Sequence, residues 1–243
     1  MKPIIVIGGT DSSGGAGLTR DAFVAHTFGF EVIPIVTAVT AQSNDMVFAT
    51  KLTPVDLIDS QIEAALATAN PAAIKIGMLG HEETAEAVAH AIRKQSCPVV
   101  LDPVLISSSG RQLMAGQFPK ALLSRAHLVT PNLHEAAALS GCPMAKTDAQ
   151  IATQAEWFLS QGAQAVLIKG GHASGETVDD HLFTASEHRV LSAPRLEAAM
   201  MRGTGCALAT AIACGLARND DLPLACSVAK TFVHDRLCEV VNL

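Results

Sequence analysis

Ile4-Ile5-Val6-Ile7 runs straight into Gly8-Gly9-Thr10-Asp11-Ser12-Ser13-Gly14-Gly15-Ala16-Gly17, and a helical pattern follows over about 18–28 before Gly29 stops it. A short, wholly apolar run has no polar side to turn toward water. It therefore predicts a strand buried on both faces, and such strands belong to parallel sheets sandwiched between helices. The same alternation continues along the chain. Residues 31–39 read as the second strand, with Pro34 pointing to an edge or a bulge. Thr53-Pro54 opens a helix with proline at its first position, and Ile58, Ile62 and Leu66 carry its apolar stripe. Apolar runs of strand length recur at 73–79, 99–101, 128–129 and 165–168. Helical patterns lie at 82–95, 118–124, 133–139 and 148–160, the last with Thr147 and Gln150 placed as a capping box. Leu182-Phe183 and Arg189-Val190-Leu191 suggest a small hairpin. After a proline-bearing loop at Ser192-Ala193-Pro194 comes a final helix pair, over 207–217 and from near Pro223. The expected fold is a three-layer αβα sandwich with a mainly parallel central sheet, in one domain over 1–243.

Composition narrows the function. Hydrophobic residues make up 49% of the 243 and charged residues 16%, so the chain can bury a large core and is not disordered. The net charge is −6 and no Lys/Arg cluster occurs, which argues against nucleic acid and against an anionic membrane surface. No apolar run approaches the ~20 residues that span a bilayer. The N-terminus turns glycine-rich too early for a signal peptide. Six scattered cysteines without a Cys-x-x-Cys pair fit a reduced, cytoplasmic protein better than a disulfide framework or a zinc site.

In a parallel sheet, ligands sit beyond the carboxyl ends of the strands. Polar residues and glycines follow the strands here: the glycine loop, then Gln42, Gly77-Met78, Asp102-Pro103, Thr130-Pro131-Asn132 with Glu135, and Lys169-Gly170-Gly171-His172. The first loop is no Walker A motif, because Gly15-Ala16 stand where Lys-Ser/Thr should be, and no dinucleotide fingerprint, because no third glycine has the required spacing. Gly203-Thr204-Gly205-Cys206 opens the helix over 207–217. Helix N-termini carry unpaired N–H groups and a positive dipole end, and two glycines leave those groups open to an anion. Cys206 points into the same place, where a helix N-terminus favours its thiolate. A plain tight turn with a buried cysteine would fit the same four residues.

These motifs, in this order, resemble the hydroxymethylpyrimidine/phosphomethylpyrimidine kinases of thiamine biosynthesis, within the ribokinase-like superfamily. The resemblance spans nearly the whole chain. It implies ATP-dependent phosphorylation of the small molecule 4-amino-5-hydroxymethyl-2-methylpyrimidine and of its monophosphate, with ATP and Mg²⁺ as cofactors and a homodimer as the assembly. The amides of Gly203, Thr204, Gly205 and Cys206 would then hold the transferred phosphoryl group, and Cys206 would accept or orient the proton of the attacking hydroxyl. Asp102, Asn132, Lys169, Thr204 and Gly205 would contact the nucleotide, and Glu135 would reach Mg²⁺ through water and phosphate. Asn132 and Glu135 also satisfy a helix cap, and Lys169 could merely snorkel to solvent. Gln42, Gly9, Asp21, Met78 and Val104 would line the pyrimidine site. Of these, a side-chain amide such as that of Gln42 can donate to a ring nitrogen while accepting from an exocyclic amine. Asp21 could equally be a solvated charge, Met78 core filling, and His172 structural.

The chain departs from the family pattern twice. Ser12 stands where many members carry Pro, and Met201-Arg202 where they carry Thr-His. Arg202 is a candidate to assist an anionic ligand. Three other readings compete: pyridoxine/pyridoxal kinase activity, a non-catalytic pyrimidine-binding regulator, and a cysteine-nucleophile hydrolase, for which no nucleophile elbow is present.

Overall fold

The structure is a computed structural model that describes residues 2–107, 110–171, 175–196 and 201–241. The chain alternates as β1 (Ile4–Asp11), α1 (Gly17–Thr27), β2 (Val32–Gln42), β3 (Val47–Leu52), α2 (Val55–Thr68), β4 (Ala73–Ile76), β5 (Gly80–His81) and α3 (Glu82–Ala91). It continues with β6 (Val99–Leu101), β7 (Met114–Ala115), α4 (Lys120–Arg125), β8 (Leu128–Val129), α5 (Leu133–Ser140), α6 (Asp148–Ser160) and β9 (Ala165–Ile168). The hairpin β10 (Thr177–Thr184) and β11 (His188–Pro194) leads to α7 (Thr204–Ala217) and α8 (Leu222–Val241).

One nine-stranded sheet organises the molecule, in the order β11-β10-β9-β8-β6-β4-β1-β2-β3. The strands from β9 to β2 run parallel, while β3 and the β10–β11 hairpin add antiparallel edges. Side-chain alternation explains the layers. Ile4 and Val6 pack with Leu18, Leu208 and Ile212 on the α1, α7 and α8 face. Ile5 and Ile7 pack with Ile58, Ile62, Val88 and Phe158 on the opposite face, under α2 to α6. Burying each such side chain stabilises the fold by about 1.5–3 kcal/mol. Right-handed crossovers that leave β1 in opposite directions must put their helices on opposite faces. The chain reverses between β1 and β4, which opens the crevice where ligands of such sheets bind.

Several sequence expectations shift. The first strand continues through its glycines to Asp11. Pro34 lies where β2 is an edge: it pairs only with Val6 on β1, since β3 joins β2 from Ala38 onward. The bulge comes later, at Thr37, the extra β2 residue opposite Gly8/Gly9. The exposed side of β2 beside it is capped by the Gln61 amide, which bonds both the N–H and the C=O of Val36. Pro54 is the N-cap of α2 rather than its first helical residue. Thr147 caps Gln150 as expected, but the Gln150 side chain answers to the N–H of Lys146 instead of Thr147. Ser192-Ala193-Pro194 belongs to β11, not to a loop. The β3 strand and the small β5–β7 pair were not legible in advance. Among the described residues no helix is long and apolar enough to cross a membrane.

Candidate active site

The two glycine loops meet at the carboxyl edge of the sheet. Gly203 caps α7 with φ 73°, a left-handed conformation that favours glycine, and a Cβ there would stand 2.4 Å from the carbonyl oxygen of Gly15. The start of α7 is therefore pressed main chain to main chain against the first loop. The first helical bond runs from the Ala207 N–H to the Gly203 carbonyl, at 2.9 Å. Among the described residues no acceptor takes the N–H groups of Thr204, Gly205 or Cys206, and no side chain caps the helix. These are the leading donors of a fourteen-residue helix, and they are open.

Charge gathers in front of them. Lys169, at the end of β9, donates to Asp102 Oδ1 at 2.9 Å, and Thr130 approaches the same oxygen at 3.4 Å. A Cβ on Gly205 would lie 3.4 Å from Lys169 Nζ and 3.6 Å from Asp102 Oδ2. That second oxygen has no hydrogen-bond partner among the described residues and faces the helix N-terminus. Burial alone would discharge Lys169, but Asp102 and then Glu135 outweigh it, so the net pKa is raised and the cation persists. Lys169 does not snorkel; its ammonium is tied to Asp102.

Asn132 and Glu135 form the reciprocal capping box of α5. The Asn132 N–H donates to Glu135 Oε2 at 2.8 Å, and the Glu135 N–H donates to Asn132 Oδ1 at 2.9 Å. Burial raises the Glu135 pKa to about 7, against the pull of Lys169 and with the nearby Asp102 charge adding to the rise. Among the described residues no three His, Cys, Asp or Glu side chains converge on one point. The open oxygen of Asp102 and the nearby Glu135 fit a hard cation that keeps most of its waters, as Mg²⁺ does, and do not fit a protein cage.

Cys206 corrects an expectation. Its pKa is pushed up to about 11 by burial, which outweighs the Lys75 ammonium and an N–H from Gly17 that favour the thiolate. At neutral pH it is a thiol. Behind it lies a sealed cluster. Lys75 on β4 donates to both oxygens of Asp21 on α1, at 3.0 and 2.9 Å, and Thr210 on α7 donates to Asp21 Oδ1 at 2.7 Å. Asp21 is 0% exposed and Lys75 1%, so Asp21 is neither a solvated charge nor a pocket wall. It ties three elements together beneath the site.

Of the other pyrimidine candidates, Gly9 and Met78 meet beside the switch point. A Cβ on Gly9 would come 2.9 Å from Met78 Sδ, so the thioether lies directly over the β1 backbone. Met78 and Val104 are half-buried, and Gln42 ends β2. Arg202 lines the cleft beside Lys169 and is held by both loops. Its Nη1 donates to Ser13 Oγ at 2.9 Å and to the Ser43 carbonyl at 2.6 Å.

Beside Lys169 a cleft of about 370 Å³ opens between the β10–β11 hairpin, the start of α7 and α8. Lys169, Thr204 and Gly205 line it with apolar Val178, Leu196, Leu208 and Val233, and with Lys230. Asp102 and Asn132 stand behind rather than along it. Lys230 pairs with Asp180 at 2.7 Å, and Asp180 also accepts the Gly170 N–H. Nothing in the sequence marks this wall, because its apolar residues look like ordinary core. Lys75 did leave a signal: a lysine inside the continuous apolar run of β4 must have a buried partner. His172 lies outside the described residues.

Comparison with known proteins fits this geometry. The family model described as "Phosphomethylpyrimidine kinase" matches residues 11–243. A hydroxymethylpyrimidine/phosphomethylpyrimidine kinase of Rhizobium meliloti is 38% identical over 232 residues, covering 94% of this chain and 87% of the relative. The crystal structure of a phosphomethylpyrimidine kinase from Clostridium difficile superposes with a TM-score of 0.83 at 30% identity, over 98% of this chain and 100% of that one. A Staphylococcus aureus pyridoxal kinase in complex with AMP-PCP and pyridoxal gives 0.86 at 29% identity, over 96% of this chain and 87% of that one. The sheet with its two helical layers is thus a ribokinase-like fold, and the chain belongs to the phosphomethylpyrimidine kinases, a family of phosphotransferases.

Proposed function

We propose that this kinase phosphorylates 4-amino-5-hydroxymethyl-2-methylpyrimidine and then its monophosphate, using ATP, by in-line transfer at the N-terminus of α7. The observation that carries this reading is the set of open amides at Thr204, Gly205 and Cys206 facing the Lys169–Asp102 pair. Phosphoryl transfer asks the protein mainly for positioning and charge neutralisation. The hydroxymethyl oxygen attacks the γ-phosphorus, the bond to the β–γ bridging oxygen breaks, and ADP leaves. The amides of α7 face the equatorial oxygens, and Lys169 balances their charge. Since Cys206 is a thiol, it orients the hydroxyl rather than removing its proton at the outset. The proton passes to a phosphoryl oxygen as the new P–O bond forms. Mg²⁺, when bound, supplies charge neutralisation between phosphate oxygens; Asp102 Oδ2 and Glu135 would hold it through water.

The nucleotide fits the cleft beside Lys169, its base against Val178, Leu196 and Val233. The pyrimidine fits the switch-point crevice, with Gly9 and Met78 beneath and the Gln42 amide at its edge. Mass spectrometry of products from the protein, ATP, Mg²⁺ and the pyrimidine should detect both the monophosphate and the diphosphate. No phosphorylated pyrimidine would end this reading. A second reading, pyridoxal phosphorylation, is favoured by the likeness to the S. aureus pyridoxal kinase. Turnover of pyridoxal in the same assay decides it.

A further inference from the structure

The two departures from the family pattern, Ser12 and Arg202, lie 190 positions apart (202 − 12) yet converge on one strand end. The Ser12 hydroxyl donates to the Gln42 carbonyl at 2.9 Å and accepts the Gln42 N–H at 2.8 Å, so one side chain holds both main-chain groups of that residue. Arg202 holds the next residue through the Ser43 carbonyl, and holds the first glycine loop through Ser13 Oγ. Ser13 is fixed in turn by Asp11, whose Oδ1 accepts from its N–H at 2.9 Å and from its hydroxyl at 2.8 Å. Asp11 Oδ2 stands 3.4 Å from Arg202 Nη2 but takes no hydrogen bond, so the serines are the firmer anchors of the guanidinium.

This strand end needs holding. The β2–β3 register slips between Ala41 and Gln42, so the ladder does not fix the residue as it fixes those before it. The Gln42 side-chain amide has no hydrogen-bond partner among the described residues, although its main chain is bonded at both groups. A pinned backbone below a free amide is what a preorganised ligand contact requires.

We propose that Ser12 and Arg202 are positioning residues for the pyrimidine, together clamping the Gln42–Ser43 main chain to the first glycine loop so that the Gln42 amide is presented ready for the ring. The inference rests on Gln42 contacting the substrate, as set out above. Neither residue touches the reacting atoms. The clamp therefore governs how readily the pyrimidine is held, and bears much less on phosphoryl transfer once it is bound.

The test is steady-state kinetics of Ser12→Ala, Arg202→Ala, Arg202→Lys and Gln42→Ala, and of each clamp change combined with Gln42→Ala, with thermal unfolding alongside. Arg202→Ala should raise KM for 4-amino-5-hydroxymethyl-2-methylpyrimidine by about tenfold and Ser12→Ala by about threefold, while KM for ATP stays and kcat falls far less. Arg202→Lys should recover part of the loss through one remaining contact. In the Gln42→Ala background the clamp changes should add little, because they act through that amide. If Gln42→Ala leaves the pyrimidine KM unmoved, the Gln42 assignment itself is wrong. If Gln42→Ala raises it but Ser12→Ala and Arg202→Ala do not, the clamp alone is overturned. A rise in KM for ATP with Arg202→Ala would also overturn it, placing Arg202 in the nucleotide cleft it borders. Should Arg202→Ala unfold, Ser12→Ala, which removes one exposed hydroxyl, carries the decision.

Discussion

Two of the lysine–aspartate pairs anchored at the sheet do opposite things. Lys75–Asp21 and Lys169–Asp102 have the same chemistry and the same 2.9 Å separation. The first is sealed: its side chains are 1% and 0% exposed, and both Asp21 oxygens are occupied by Lys75 and Thr210. The second is 14% and 4% exposed and keeps one Asp102 oxygen open toward the amides of α7. A buried ion pair binds elements together only while both partners remain; an accessible one can exchange its partner for a ligand. The difference lies in which oxygens are left over, not in the residues.

That contrast is sharpened first by activity. Lys169→Ala should lower kcat on the order of 10²–10³-fold with the fold intact, since it removes charge at the transferring group. Equal activity in kinetic assays would place Lys169 with the structural pair. Next comes stability. Lys75→Met should cost about 3–5 kcal/mol, because it leaves an uncompensated carboxylate in the core, whereas Lys75→Met with Asp21→Leu should restore most of that. Denaturant unfolding of the single and double variants reads both. A still smaller loss, about 1–2 kcal/mol in the same measurement, is expected for Thr210→Val, which removes one hydrogen bond to the charged Asp21.

The thiols yield a pH dependence. Cys206 rises from 9.0 to about 11, and Cys214 and Cys226 to about 12, all by burial first. A folded-state pKa above the unfolded value means that the unfolded chain releases its proton sooner. The stability from these groups is therefore intact below pH 9 and lost as pH climbs through the folded pKa, by up to about 1.4 kcal/mol per unit for each thiol. Unfolding midpoints measured from pH 8 to 11 should fall above 9. A flat profile there would show the thiols to be less buried than the structure has them.

The large features of the fold could be read because their causes are local. The apolar run of β1, the glycines after it and the helix behind them each follow from neighbouring residues. β3 has only a thin hydrophobic pattern, because it is an edge strand with half of its side chains exposed and one buried. Reading Cys206 as a thiolate weighed the helix dipole but not burial, and burial depends on what packs above it. The contacts of Arg202 could not be seen at all: its partners Ser13 and Ser43 are 189 and 159 residues away. Asp21 was ambiguous for the same reason, since Lys75 and Thr210 lie far along the chain.

The most direct test of phosphoryl binding at α7 is Gly205→Val, because position 205 has ordinary helical backbone and the added side chain fills the space between the amides and the Lys169–Asp102 pair. If those N–H groups grip the migrating phosphoryl, kcat should drop by about 10²-fold or more while the unfolding midpoint holds. Full turnover by a folded Gly205→Val protein would contradict it.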